Sequence, residues 1–211
     1  MNKIDIKDYE EKIKEEKYED IYEDLVNKTI IAVQKFGKRK DYKIPEDKKG
    51  KDLFYNIQFY FKENFIDYLS VYYLMQTLIE WNYKDEEENG TYEKKINNIV
   101  VRYNSFIDKI NEYEKIESEV NQKGIDIVIK EREEKYAKQF KERFEHSKKY
   151  DKTWDVVKLI KKVIHTQERD LAKSNDVEKI MLIDNAYNYI LKIGYQKVSY
   201  IYSEEYLKII Q

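Results

Sequence analysis

The chain has no cysteine, one proline and five glycines in 211 residues. Without cysteine there are no disulfides, no thiol catalysis and no cysteine-ligated zinc or iron–sulfur centre. Few prolines and glycines mean few turns, so the elements must be long; sandwiches and doubly wound sheets need many more. Histidine is almost as scarce, with two residues. The longest uncharged run of note, YLSVYYLMQTLI, has twelve residues, against the roughly 20 that a membrane-spanning helix needs. The first twenty residues, MNKIDIKDYEEKIKEEKYED, are charged throughout and do not read as a secretory signal. Net charge is −2, so no global basic field draws in nucleic acid. These absences predict a cytoplasmic protein with no membrane contact and no cofactor.

What remains is charge and aromatic mass. Charged residues make up 39%, hydrophobic ones 41% and aromatic ones 15%, with 21 tyrosines. That aromatic share is well above that of an unfolded polar chain. The expected fold is all-α: a bundle of five or six long helices in one domain, 1–211, with a possible polar helical extension over 1–24.

Hydrophobic periodicity places the helices. Ile13, Ile21, Leu25, Thr29, Val33 and Phe36 predict one helix over 5–36, stopped by Gly37. A second helix is predicted over 51–83 and placed at the centre of the bundle. Its stretch LFYNIQFYFKENFIDYLSVYYLMQTLIEW is apolar or aromatic at 19 of 29 positions. Asn56, Glu63, Asp67, Ser70 and Thr77 fall on one narrow stripe of such a helix and read as its solvent face. Over 92–120, Ile96, Ile99, Tyr103, Phe106, Ile110 and Tyr113 repeat as a heptad seam, spoiled at Glu117 and resumed at Val120. Gly124 ends this helix. IDIVI at 125–129 has strand propensity but is expected to enter a fourth helix with Tyr136, Phe140 and Phe144 inward. A fifth helix is predicted over 153–173. A sixth is capped by Ser174 or Asn175, with Val177, Ile180, Tyr187 and Leu191 inward. Residues 198–202 read as helix or strand.

Catalytic motifs are absent: no nucleophile elbow, no glycine-rich phosphate loop. Glu142 precedes His146 by four residues and His165 precedes Glu168 by three. Neither is the Glu-x-x-His of a di-iron bundle, and no metal site is predicted. Glu63 and Asp67, four apart, could form a carboxylate pair on a continuous helix. Most tyrosines, among them Tyr72, Tyr73, Tyr103 and Tyr187, fall on apolar stripes and read as core. The one marked charge asymmetry lies in 35–51, with eight Lys or Arg against three Asp or Glu. Its binding candidates are Lys38, Arg39, Lys40, Lys48 and Lys49. A deficit of five charges over 1–24 offers internal compensation.

Three functions follow. The first is a non-catalytic interaction or assembly protein acting through helix faces, on another protein or on itself, with the 96–113 seam as one candidate surface. The second is a nucleic-acid-associated accessory protein using the basic connector. The third is a carboxylate- or metal-dependent enzyme using Glu63 and Asp67.

Overall fold

The computed structural model describes residues 1–81, 91–144 and 174–193. The fold is all-α, with no strand among the described residues. Seven α-helices occur among them: α1 (Glu10–Lys14), α2 (Tyr18–Gly37), α3 (Gly50–Asn64), α4 (Leu69–Trp81), α5 (Thr91–Lys123), α6 (Ile125–Phe144) and α7 (Asp176–Ile193). The chain forms two compact units, Met1–Glu112 and Tyr113–Gln211.

In the first unit, α2 buries Ile21, Leu25, Ala32, Val33 and Phe36, a stripe at three- and four-residue steps. The helix expected over 5–36 is broken near its start. A 3₁₀ turn, Ile6–Tyr9, leads into α1. The chain then turns at Glu16, whose φ of 54° is left-handed, before α2 begins. Residues 1–9 are no free polar extension, because Ile4 and Tyr9 are buried.

The helix expected over 51–83 is a helical hairpin, α3 and α4. Asn64 donates its side-chain amide to the Tyr60 carbonyl (2.9 Å), a local bond that competes with helix continuation. Phe65 closes α3 with its N–H on the Phe61 carbonyl (2.8 Å) and then takes an extended conformation (φ −117°, ψ 137°). Its ring turns inward and stacks on Phe61 (4.6 Å) and Phe36 (5.1 Å). A single rod this apolar would leave much of its circumference in water. Folding it back buries Leu53, Phe54, Ile57 and Phe61 of α3 and Val71, Leu74, Met75, Leu78 and Ile79 of α4. The break also dissolves the polar stripe, whose members now sit on two helices and a corner.

All six seam residues of α5, Ile96 to Tyr113, are buried, and the stripe continues through Ile116. It is a core contact of the chain, not an exposed surface for a partner. Glu117 does not interrupt it, because Ile116, one position earlier, takes the inward place.

In the second unit, Gly124 (φ +83°) separates α5 from α6, and IDIVI is helical as expected. Asn175 caps α7: its Oδ1 accepts from the Glu178 N–H (3.0 Å), and the Glu178 carboxylate accepts from the Asn175 N–H (3.0 Å). This reciprocal box fixes the helix start. Val177, Ile180 and Tyr187 are buried as expected. Tyr187 stacks on Tyr136 of α6 at 4.1 Å. Arg132 bridges Glu119 (2.5 Å) and Asp184 (3.3 Å), and the Tyr136 hydroxyl donates to Asp184 (2.8 Å). Burial alone would lower the Arg132 pKa, but the two carboxylates raise it. The expected helix 153–173, both histidines and residues 198–202 lie outside the described residues.

Gly37 is required by a close approach. A Cβ there would meet Tyr42 Cβ and Cδ1 at 2.8 Å. Gly37→Ala should therefore cost about 1–3 kcal/mol by overpacking, read as a lower urea midpoint at unchanged m-value. Phe61→Ala and Phe65→Ala should each cost about 3–5 kcal/mol. A midpoint unmoved by either phenylalanine change would contradict the packing described for the corner.

Candidate functional site

The connector between α2 and α3 is ordered by tyrosines. After Gly37 the chain makes a 3₁₀ turn, Lys38–Lys40, and Asp41 adopts φ 58°. This left-handed residue returns the Tyr42 N–H to the Gly37 carbonyl (3.0 Å). The buried Tyr42 ring packs on Tyr60 (4.4 Å) and edge-on to Phe61 (5.8 Å). Its hydroxyl donates to Asn56 (3.0 Å), and the Tyr60 hydroxyl donates to the Lys40 carbonyl.

The five basic candidates divide by environment. Lys38 and Lys49 are exposed, and Lys48 is half-buried. Arg39 lies over the Phe36 ring at 5.4 Å and Lys40 over the Phe65 ring at 5.8 Å. These two cations are held on the aromatic core. Beside them an open cleft of about 360 Å³ is lined by Gln34, Lys38, Asp41, Lys43, Ile44 and Glu46 around Tyr42. Its two lysines face two carboxylates, so the positive excess of the connector is partly answered locally. The sequence marked the cations but not Tyr42 and Tyr60, the residues that give the connector its shape. A tyrosine centred between Gly37 and Pro45 was the available signal.

Glu63 and Asp67 do not form the i,i+4 pair of a continuous helix, because the extended Phe65 lies between them. Asp67 instead pairs with Lys109 of α5 (3.0 Å), which also reaches Glu112 (3.0 Å). Burial alone would lower the Lys109 pKa; Asp67 and Glu112 reverse this and raise it. Asp67 thus ties the hairpin corner to α5.

The outward side of the hairpin has a different character. Gln58 donates its side-chain amide to the Tyr72 carbonyl (3.0 Å), which sets α3 and α4 side by side. On the same two helices Tyr55 and Phe59 of α3 are 52% and 68% exposed, and Leu69 and Tyr73 of α4 are 47% and 46% exposed. Each pair is four residues apart and so shares a helix face. Tyr73 is therefore surface and not core, with the Arg102 guanidinium 5.1 Å from its ring centroid. Val101, beside Arg102 in sequence, is 56% exposed. Asp52, Lys62, Glu63 and Glu80 are exposed along the same two helices.

No helix among the described residues is long and apolar enough to cross a membrane. Comparison with protein-family models, with curated proteins and with solved structures found no match.

Burial, with the neighbouring Tyr60, pushes the Tyr42 phenol up to about 12, against about 10 in an unfolded chain. The neutral form is the one the fold favours. Its contribution is complete below about pH 10 and is lost as pH rises through about 12. Urea midpoints across pH 8–12 should fall over the upper half of that range. They should fall less steeply in Tyr42→Phe. Identical slopes for the two proteins would contradict the buried phenol. Tyr9, also raised to about 12 by burial and its bond to Asp24, adds to the slope that remains, as do Tyr60, Tyr103 and Tyr136, whose phenols burial also raises.

Proposed function

We propose that the protein is a non-catalytic helical interaction protein that binds another protein through the outward face of the α3–α4 hairpin. The observation that carries this reading is the exposure of Tyr55 and Phe59 on one face of α3 and of Leu69 and Tyr73 on one face of α4, two helices packed side by side. Isolated exposed apolar residues are ordinary, whereas aromatic residues grouped on adjoining helices mark a contact surface. The heptad seam, buried within the chain, supplies no such surface. The basic connector supports a second reading, contact with nucleic acid through the exposed Lys38 and Lys49, with Lys48, Arg39 and Lys40 beside them.

The test compares wild type with Tyr55→Ser/Phe59→Ser and with a Lys38, Arg39, Lys40 triple alanine variant. Each is used as bait in quantitative co-purification and titrated with labelled single-stranded and duplex DNA at two salt concentrations. The serine variant should lose about tenfold or more of the protein recovered with wild type, the scale of a central hot spot. Its helical circular dichroism should be unchanged. Recovery of the same proteins in the same amounts would overturn the hairpin reading. DNA retention that weakens steeply with salt and drops in the triple variant would favour the connector instead.

A further inference from the structure

Residues 1–9 lie on α2 and α5 as a bound peptide would. Two apolar side chains anchor them, Ile4 and Tyr9, both buried. Asn104 of α5 reads the backbone at the first anchor: its side chain accepts from the Ile4 N–H (2.8 Å) and donates to the Ile4 carbonyl (2.7 Å). That is the two-handed pairing a strand edge would offer. Lys3 pairs with Asp108 at 2.8 Å. At the other end the Tyr9 hydroxyl donates to Asp24 (2.6 Å) and accepts from Lys28 (3.0 Å). The Lys28 ammonium also lies 5.3 Å from the Tyr9 ring centroid.

The tether behind this segment is built differently. Helix α1 buries none of its residues, and Glu15, Glu16 and Lys17 are exposed. Glu16 carries a side chain in the left-handed region, φ 54°, where only Gly, Asn and Asp are at ease. Lys17 starts α2 with no side-chain cap. An open cleft of about 470 Å³ remains beside the segment, lined by Ile4, Ile6, Asn97, Val100 and Asn104 among others. The contact is therefore specific at its anchors, incompletely sealed, and joined to α2 through a strained turn.

We propose that this groove is an exchangeable docking site, filled in cis by residues 1–9 and in trans by the same residues of a second copy of the chain. Each of these contacts is available unchanged to a partner's segment, so exchange forms no new interface chemistry, and opening the hinge relieves the left-handed Glu16. Residues 10–17, stretched at about 3.5 Å each, reach roughly 28 Å. Charge favours this one occupant: Lys3 meets Asp108, and the neutral Tyr9 hydroxyl meets the Asp24–Lys28 pair. The inference is independent of the hairpin face, since it uses α2 and α5 residues and none of Tyr55, Phe59, Leu69 or Tyr73.

The probe is a synthetic peptide of residues 1–16 with a C-terminal fluorophore, titrated against full-length chains. Against wild type it must displace a tethered competitor present at an effective concentration on the order of millimolar. Against a full-length Ile4→Asp chain that competitor is weakened, and binding should be at least about tenfold tighter. A peptide that itself carries Ile4→Asp should not bind. No binding to the Ile4→Asp chain with its helix content intact, or equal binding of both peptides, overturns the proposal. Should Ile4→Asp unfold the chain, the cysteine-free sequence offers a second route through Lys3→Cys/Asp108→Cys. Joining the two thiols with a short bismaleimide, which makes up the length of the lysine side chain removed from the Lys3–Asp108 pair, should after long incubation give an intramolecular cross-link in dilute protein and a rising intermolecular share as concentration increases. An intramolecular product alone at every concentration overturns the exchange.

Discussion

The first unit depends on one cluster of phenylalanine rings. Phe36, at the end of α2, meets Phe61 at 6.2 Å, Phe65 at 5.1 Å and Phe106 of α5 at 5.9 Å. Three helices and the corner of a hairpin converge there. Such ring pairs contribute about 0.5–1.5 kcal/mol each beyond the area they bury. The connector follows from the same cluster, because Tyr42 packs on Phe61, and Arg39 and Lys40 lie over Phe36 and Phe65. A basic loop that looked like a handle in sequence is shaped by the rings beneath it.

The hairpin explains how so apolar a stretch can be both core and surface. Folded back, α3 and α4 share their inner faces with α2 and α5 and their adjoining edges with each other. More apolar positions remain than those faces can take, and Phe59 is the most exposed of them. The excess therefore lies where a partner can reach it. This arrangement of residues, and not a catalytic constellation, is what the proposed function rests on.

Much of the fold was legible because it is written locally. The three- and four-residue steps of α2 and α5, the Asn175 cap and the break at Gly124 all reach the chain through backbone geometry near the residue itself. The corner at Phe65 was not legible. It contains no glycine or proline, and it exists because a distant ring, Phe36, rewards an inward Phe65. The docking of residues 1–9 was hidden for a related reason: two anchors among many charges make no periodic pattern, and their partners Asn104 and Asp24 lie far along the chain. Inside and outside on α3 and α4 could not be assigned from sequence, since a helix apolar on nearly every side gives no moment to read. The candidate cations were visible as charge, but whether a cation is free or laid on a ring is a tertiary fact.

The corner itself is fastened in two ways, one indifferent to salt screening and the other weakened by it. Phe65 is held by apolar burial, which weakens on cooling and is indifferent to simple salt screening. Asp67 is held by Lys109, an ion pair with 22% and 34% of the two side chains exposed. It is screened by salt, and its desolvation penalty shrinks on heating. In warm, dilute buffer the charge clasp is at its strongest; in cold, concentrated salt both fastenings slacken together. Temperature and ionic strength thus act jointly on the stability of a single bend.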